Sequence, residues 1–112
     1  MEPADPPKTR LIVKRSGKSI TRKIPKPIVL IDTREQTPFS FSNFPNWIKG
    51  ERKQKLNAGD YSVEGMEKLI ALERKTLSDL ITTLMQHRKR FFKVCEKLAK
   101  YRWRALIVEA SY

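Results

Sequence analysis

Three residues in the middle of the chain have the types and spacing for phosphodiester chemistry: Asp60, Glu73 and Lys75, within Gly59–Asp79, GDYSVEGMEKLIALERKTLSD. Glu73 and Lys75 follow an apolar run, Leu69-Ile70-Ala71-Leu72, and Glu67–Lys75 reads as a strand. Residues two apart on a strand share a face, so Glu73 and Lys75 point together while Arg74 points away. Arg74 is then free to tie the strand to its neighbours or to reach an adjacent phosphate. Gly59–Val63 reads as a preceding strand, with Glu64-Gly65 as the hairpin turn that brings Asp60 beside Glu73. Two carboxylates and an ammonium so placed could hold a divalent cation and an attacking water, which is metal-assisted phosphodiester hydrolysis. Surface acids on an antiparallel pair and a solvated lysine are the plainer reading. Gly59, which frees the backbone just before Asp60, and the fixed pairing of Glu73 with Lys75 argue against it.

Upstream, Ile28–Ile31 is a continuous apolar run, IVLI, after a proline, the pattern of a strand buried on both faces. Asp32 ends it and Thr33-Arg34-Glu35 starts a turn. An acid at the end of a central strand is placed either to hold a metal or to start the turn through its own oxygen.

Gly59-Asp60, Glu73-Arg74-Lys75 and Asp79, with Ile31–Phe39 (IDTREQTPF) ahead of them, resemble the motifs of XPF-type structure-specific endonucleases, a branch of the PD-(D/E)XK nucleases. The resemblance covers roughly Pro27 to Ser111. It implies that Asp32 joins Asp60 and Glu73 in holding Mg2+ or Mn2+, hard cations that take oxygen ligands, while Lys75 assists the water. Arg34, Glu35, Arg74 and Asp79 are supporting motif positions, with Arg34 a candidate for phosphate contact or for pairing with a site carboxylate. The resemblance also implies cutting at branched or flapped DNA, and Arg88 matches an arginine of the family.

Composition agrees with a nucleic-acid partner. Lys plus Arg number 24 against 12 Asp plus Glu, a net charge of +12 over 112 residues, and such an excess draws a polyanion through counterion release. One cysteine, Cys95, excludes an internal disulfide and a cysteine-built zinc site. No apolar run approaches the ~18 residues of a membrane span, and the N-terminus lacks the apolar core of a signal peptide. The expectation is an intracellular protein, cytoplasmic, nucleoid-associated or nuclear, and not secreted. Residues 1–26, proline-broken and basic, read as a flexible arm that tracks a phosphate backbone, or as an expression remnant or targeting tail. Within the arm only Leu11-Ile12-Val13 has the character of a short strand.

Four aromatics, Phe39, Phe41, Phe44 and Trp47, fall in a stretch broken by Pro38, Pro45 and Gly50. They could stack on splayed bases, but packing of a long connection onto the core is the reading preferred. Thr76 caps a helix whose third residue is Asp79, and capping accounts for Asp79 without catalysis. Apolar residues then keep helical spacing towards Tyr101. His87-Arg88 stands where relatives have Gly-Arg, leaving open a kink or none. Arg88, Lys89, Arg90 and Lys93 begin a run of cations read as a DNA-backbone surface rather than a merely solvated face. Ala105–Glu109 reads as another buried strand.

The order of elements predicts a mixed β-sheet flanked by helices, an α/β core of restriction-endonuclease-like type over 27–112. The leading function is a metal-dependent DNA endonuclease. The rival readings are a dormant nuclease-like module that binds or scaffolds DNA, and a small basic RNA- or ribosome-binding protein. The chain ends at Tyr112, earlier than such relatives, which run on into further helices and often a helix-hairpin-helix module. A truncated piece, or a minimal domain completed by a second copy or a partner protein, is therefore expected.

Overall fold

A computed structural model of the chain describes residues 4–6, 9–13, 19–23 and 25–110. Leu11-Ile12-Val13 lies in β1 (Thr9–Val13), which pairs antiparallel with β2 (Ser19–Lys23), Ile12 opposite Ile20. Much of the rest of the basic arm lies outside the described residues.

The apolar run Ile28–Ile31 forms β3, and Leu30 and Ile31 at its end are buried. It seeds a five-stranded sheet in the order β4-β3-β5-β6-β7, where β4 is Gly50–Lys53, β5 Tyr61–Val63, β6 Ile70–Thr76 and β7 Trp103–Glu109. β3 runs parallel to β4 and antiparallel to β5, β5 antiparallel to β6, and β6 parallel to β7. The sheet is mixed because a tight turn joins β5 to β6, whereas a helical crossover joins β6 to β7. This is the predicted α/β arrangement.

The strands depart from the sequence reading in several places, with β5 beginning at Tyr61 rather than Gly59 and β7 at Trp103 rather than Ala105. β6 begins at Ile70, not Glu67, because the carbonyl of Met66 accepts from the amides of both Leu69 and Ile70 at 3.0 Å and folds residues 66–70 into a turn. β4 was not predicted: Gly-Glu-Arg-Lys has no apolar alternation, and it is a strand only because the edge of β3 offers it a backbone ladder. β7 is not the buried strand expected. Among the described residues it has one neighbour, β6, and Trp103 is 58% exposed with Val108 at 42%, an apolar edge of the kind that invites a covering layer.

Thr76 caps α1 (Leu77–Gln86), its hydroxyl accepting from the Asp79 amide at 3.1 Å. The helical run breaks at His87, whose φ of −134° and ψ of 36° end α1 and precede α2 (Arg88–Ala99). The guanidinium of Arg88 reaches back to the Leu84 carbonyl at 3.2 Å and satisfies an acceptor that the break would orphan. α1 carries Ile81 and Met85 exposed at 49% and 79%, a second apolar surface left open. No helix among the described residues is long and apolar enough to cross a membrane.

Tyr61 joins the connection after β3 to the core. Its buried ring stacks on Phe39 and meets Phe41 edge-on, at centroid distances of 5.8 and 6.0 Å, and its hydroxyl accepts from the Phe39 amide at 2.9 Å. Two of the four aromatics thus pack as predicted, while Phe44 and Trp47 remain exposed.

Candidate active site

The site forms where β3, the start of β5 and the middle of β6 meet. Gly59 takes φ of +76°, and a Cβ there would lie 2.8 Å from the Leu72 carbonyl oxygen, so only glycine lets this loop press onto β6. Asp60 is then pinned on both sides. Its amide donates to the Leu72 carbonyl at 2.7 Å, its carbonyl accepts from the Asp32 amide at 2.8 Å, and Oδ2 accepts from the Arg74 amide at 2.8 Å. These bonds place Asp60 beside Glu73. Both line a cleft of about 360 Å³ together with Asp32, Arg34 and Glu35 after β3, and Val94 and Lys97 from α2.

The carboxylates of the cleft differ in what holds them. Burial opposes ionisation of Asp32, but the Arg34 guanidinium and the amides of Leu56 and Arg34 outweigh it and keep the carboxyl below its usual value. Oδ1 accepts from the Leu56 amide and Oδ2 from Arg34 Nε, each at 2.8 Å, and Arg34 Nη2 adds a longer contact to Oδ1. Asp60 is raised, first by burial and then by Glu35 and Asp32, with the Arg74 amide and Lys75 opposing. Glu73 is pushed up to about 7, by burial first and by the charge of Asp60 second, and Lys75 offsets this only in part. Among the described residues no hydrogen bond reaches the Glu73 carboxylate, and Oδ1 of Asp60 is likewise unengaged. Like charges crowded together in a half-buried cleft are the electrostatic condition that a bound cation relieves.

That donor set fits a hard divalent ion that keeps much of its water. Among the described residues no three acids, histidines or cysteines converge closely enough to cage an ion by themselves. Asp60 and Glu73, side by side, have oxygens to offer, Glu35 is a further cleft carboxylate whose side chain makes no hydrogen bond among the described residues, and water would complete the shell, as it does for Mg2+. Asp32 has both oxygens engaged and serves here to anchor the loop through Leu56 and Arg34.

Arg74 lines the cleft, but its guanidinium is engaged elsewhere. Its guanidinium forks onto Glu109 of β7, with Nη2 3.1 Å from Oε2, donates to the Thr37 carbonyl, and lies 3.8 Å above the Phe39 ring. It ties β6 to β7 and to the aromatic connection. Asp79 is exposed in the first turn of α1, outside the cleft. Lys75 is half-buried on β6 and near enough to favour the charged forms of both Asp60 and Glu73. Lys89, Arg90 and Lys93 are exposed on α2, whereas Arg88 is occupied in joining the two helices. The sequence reads Lys97 only as one of the run of cations that follows Arg88, a backbone-binding surface; its place in the cleft lining is given by the structure.

Residues 31–112 match the family described as the ERCC4 domain. Among solved structures the chain is similar to XPF from Aeropyrum pernix, with 31% identity and a TM-score of 0.57 over 76% of this chain. It spans 38% of that protein's length. No curated protein sequence matches it. The chain belongs to the ERCC4 domain family and has the fold of an XPF-type nuclease domain.

Proposed function

We propose that this domain is a metal-dependent DNA endonuclease that cuts phosphodiester bonds at branched or flapped DNA. The observation that carries the reading is the pairing of Asp60 with Glu73 in one cleft, where burial and mutual repulsion push Glu73 up to about 7 beside Lys75. Perturbed acids cluster where chemistry is done. Asp60 and Glu73 hold Mg2+ or Mn2+, with Asp32 and Arg34 fixing the loop that positions Asp60. When bound, the ion supplies Lewis acidity at the phosphate and a more acidic water. Lys75 holds the attacking water or the negative charge that develops on the phosphoryl oxygens. The net charge of +12 supplies the attraction for DNA, and a DNA substrate places the protein inside the cell. The open apolar edge of β7 and the exposed side chains of α1 favour a second copy or a partner protein as the missing cover.

The test is cleavage of labelled flap, fork, single-stranded and duplex DNA with Mg2+ or Mn2+ and with EDTA, beside Asp60→Asn, Glu73→Gln and Lys75→Ala. Metal-dependent cutting by the wild type, lost in all three variants while DNA affinity stays within about tenfold because the basic surface binds separately, is the expected result. Equal cutting by wild type and variants would refute the catalytic assignment. Tight binding with no cutting under any condition would favour the dormant DNA-binding reading, to which the exposed apolar surfaces lend support.

A further inference from the structure

Of the cations that line the acidic cleft, two are already engaged. Arg34 is held by Asp32, and Arg74 by Glu109 and the Thr37 carbonyl. Lys97 is the third. It stands on the exposed side of α2, lines the cleft with Asp60 and Glu73, and makes no ion pair among the described residues. A lysine in the last turn of a helix also suits the negative end of the helix dipole. That accounts for its tolerance there, not for its position at the mouth of a cleft built around four carboxylates, Asp32, Glu35, Asp60 and Glu73.

The rest of α2 gives the position a direction. Arg90, Lys93, Lys97 and Lys100 follow one another at helical spacings of three, four and three residues, so they stack along one face of α2 and its C-cap. At ~1.5 Å per residue the stripe is about 15 Å long, which matches about four nucleotides of one strand at the ~3.4 Å rise of duplex DNA. The start of α2 points the same way. Arg88, Lys89 and Arg90 occupy its first turn with no acidic residue among them, the reverse of what the helix dipole favours. An anion lying along this face offsets that arrangement.

We propose that Lys97 grips the phosphate of the strand being cut, and that Arg90, Lys93 and Lys100 hold the same strand's backbone as it runs along α2 to the cleft. This rests on the nuclease reading for the identity of the gripped phosphate, and on the structure alone for the path. Lys97 places a positive charge on the far side of the phosphate from the carboxylates that hold the ion, which orients the phosphate between them. Lys93 and Arg90, farther from the cleft, contribute affinity without orienting the reacting group.

Two readouts test this on the full chain. Binding of a labelled duplex without metal, followed as a function of salt, counts phosphate contacts, because each one lost lowers the log–log slope by about 0.9. Single-turnover cleavage at saturating DNA reports orientation. Lys97→Ala is expected to lose about one contact and to slow cleavage at saturation by ten- to a hundredfold, with Lys97→Arg restoring the contact. Lys93→Ala and Arg90→Ala are expected to lose a contact each while cutting at the wild-type rate once saturated. Lys68→Ala, which removes the same charge from the turn before β6, controls for net charge and leaves both readouts unchanged. A Lys97→Ala slope equal to that of Lys68→Ala would overturn the contact. A Lys97→Ala rate equal to wild type at saturation would overturn the grip on the scissile phosphate. If the wild type cuts no DNA, the nuclease reading fails and with it the grip, while the salt slope still decides whether Lys97 and its stripe bind the backbone.

Discussion

Replacing Glu73 by Gln should stabilise the metal-free protein at pH 8 and do so much less at pH 5. Burial and the charge of Asp60 raise the Glu73 carboxyl from 4.5 to about 7. Between those values the unfolded chain has released the proton that the folded chain still holds. Folding therefore takes up a proton in this window, and stability falls as the pH rises through it. At about 1.36 kcal/mol for each tenfold in proton affinity, the full shift corresponds to at most roughly 3 kcal/mol. The cleft is open to solvent on one side, so screening reduces the expected cost to about 1–2 kcal/mol. Gln keeps the shape and removes the charge, which relieves both the desolvation and the repulsion with Asp60. For a domain of this size each kcal/mol moves the melting temperature by about 4–8 °C. Thermal melts of wild type and Glu73→Gln in EDTA at pH 5, 6, 7 and 8 measure the difference directly. Mg2+ or Mn2+ added at pH 8 should then raise the wild type and leave the variant unmoved, since an ion that binds only the folded chain stabilises it by mass action. A variant no more stable than wild type at pH 8, or one equally stabilised at pH 5 and pH 8, would refute the assignment of Glu73 as a charge forced into the cleft.

Three further outcomes follow from the same geometry. Gly59→Ala forces an L side chain to φ of +76° and a Cβ to 2.8 Å from the Leu72 carbonyl oxygen; it should cost about 1–3 kcal/mol in urea unfolding and lower activity by moving Asp60. Arg74→Ala strips the fork from Glu109 and the cover from Phe39, and should destabilise by about 2 kcal/mol; Arg74→Lys, which cannot fork, should recover only part of it in the same denaturation assay. Thr76→Ala removes the acceptor of the Asp79 amide and should cost about 1 kcal/mol, whereas Asp79→Asn, outside the cleft, should leave cleavage close to wild type.

Much of this was legible in the linear chain. Apolar runs located β3 and β7, and the cap at Thr76 located the start of α1, because each is written in neighbouring residues. Asp60, Glu73 and Lys75 could be grouped because a short turn between two strands leaves few ways to pair them. What the chain alone could not show was decided by neighbours distant in sequence. β4 has no pattern of its own and exists by pairing with β3. The exposure of β7 depends on what lies beyond the sheet edge, which an apolar run cannot report. Asp32 just after β3 and Glu73 within β6 are both acids of the cleft, yet one is satisfied by Arg34 and Leu56 and held low while the other is left unpaired and pushed up. Lys97 enters the site only because α2 borders the cleft. The sequence by itself therefore determined the residues capable of the chemistry and the local elements that carry them, through periodicity and capping. The tertiary structure decided which of those residues are free to act, because hydrogen-bond satisfaction, burial and charge proximity belong to contacts between segments far apart along the chain.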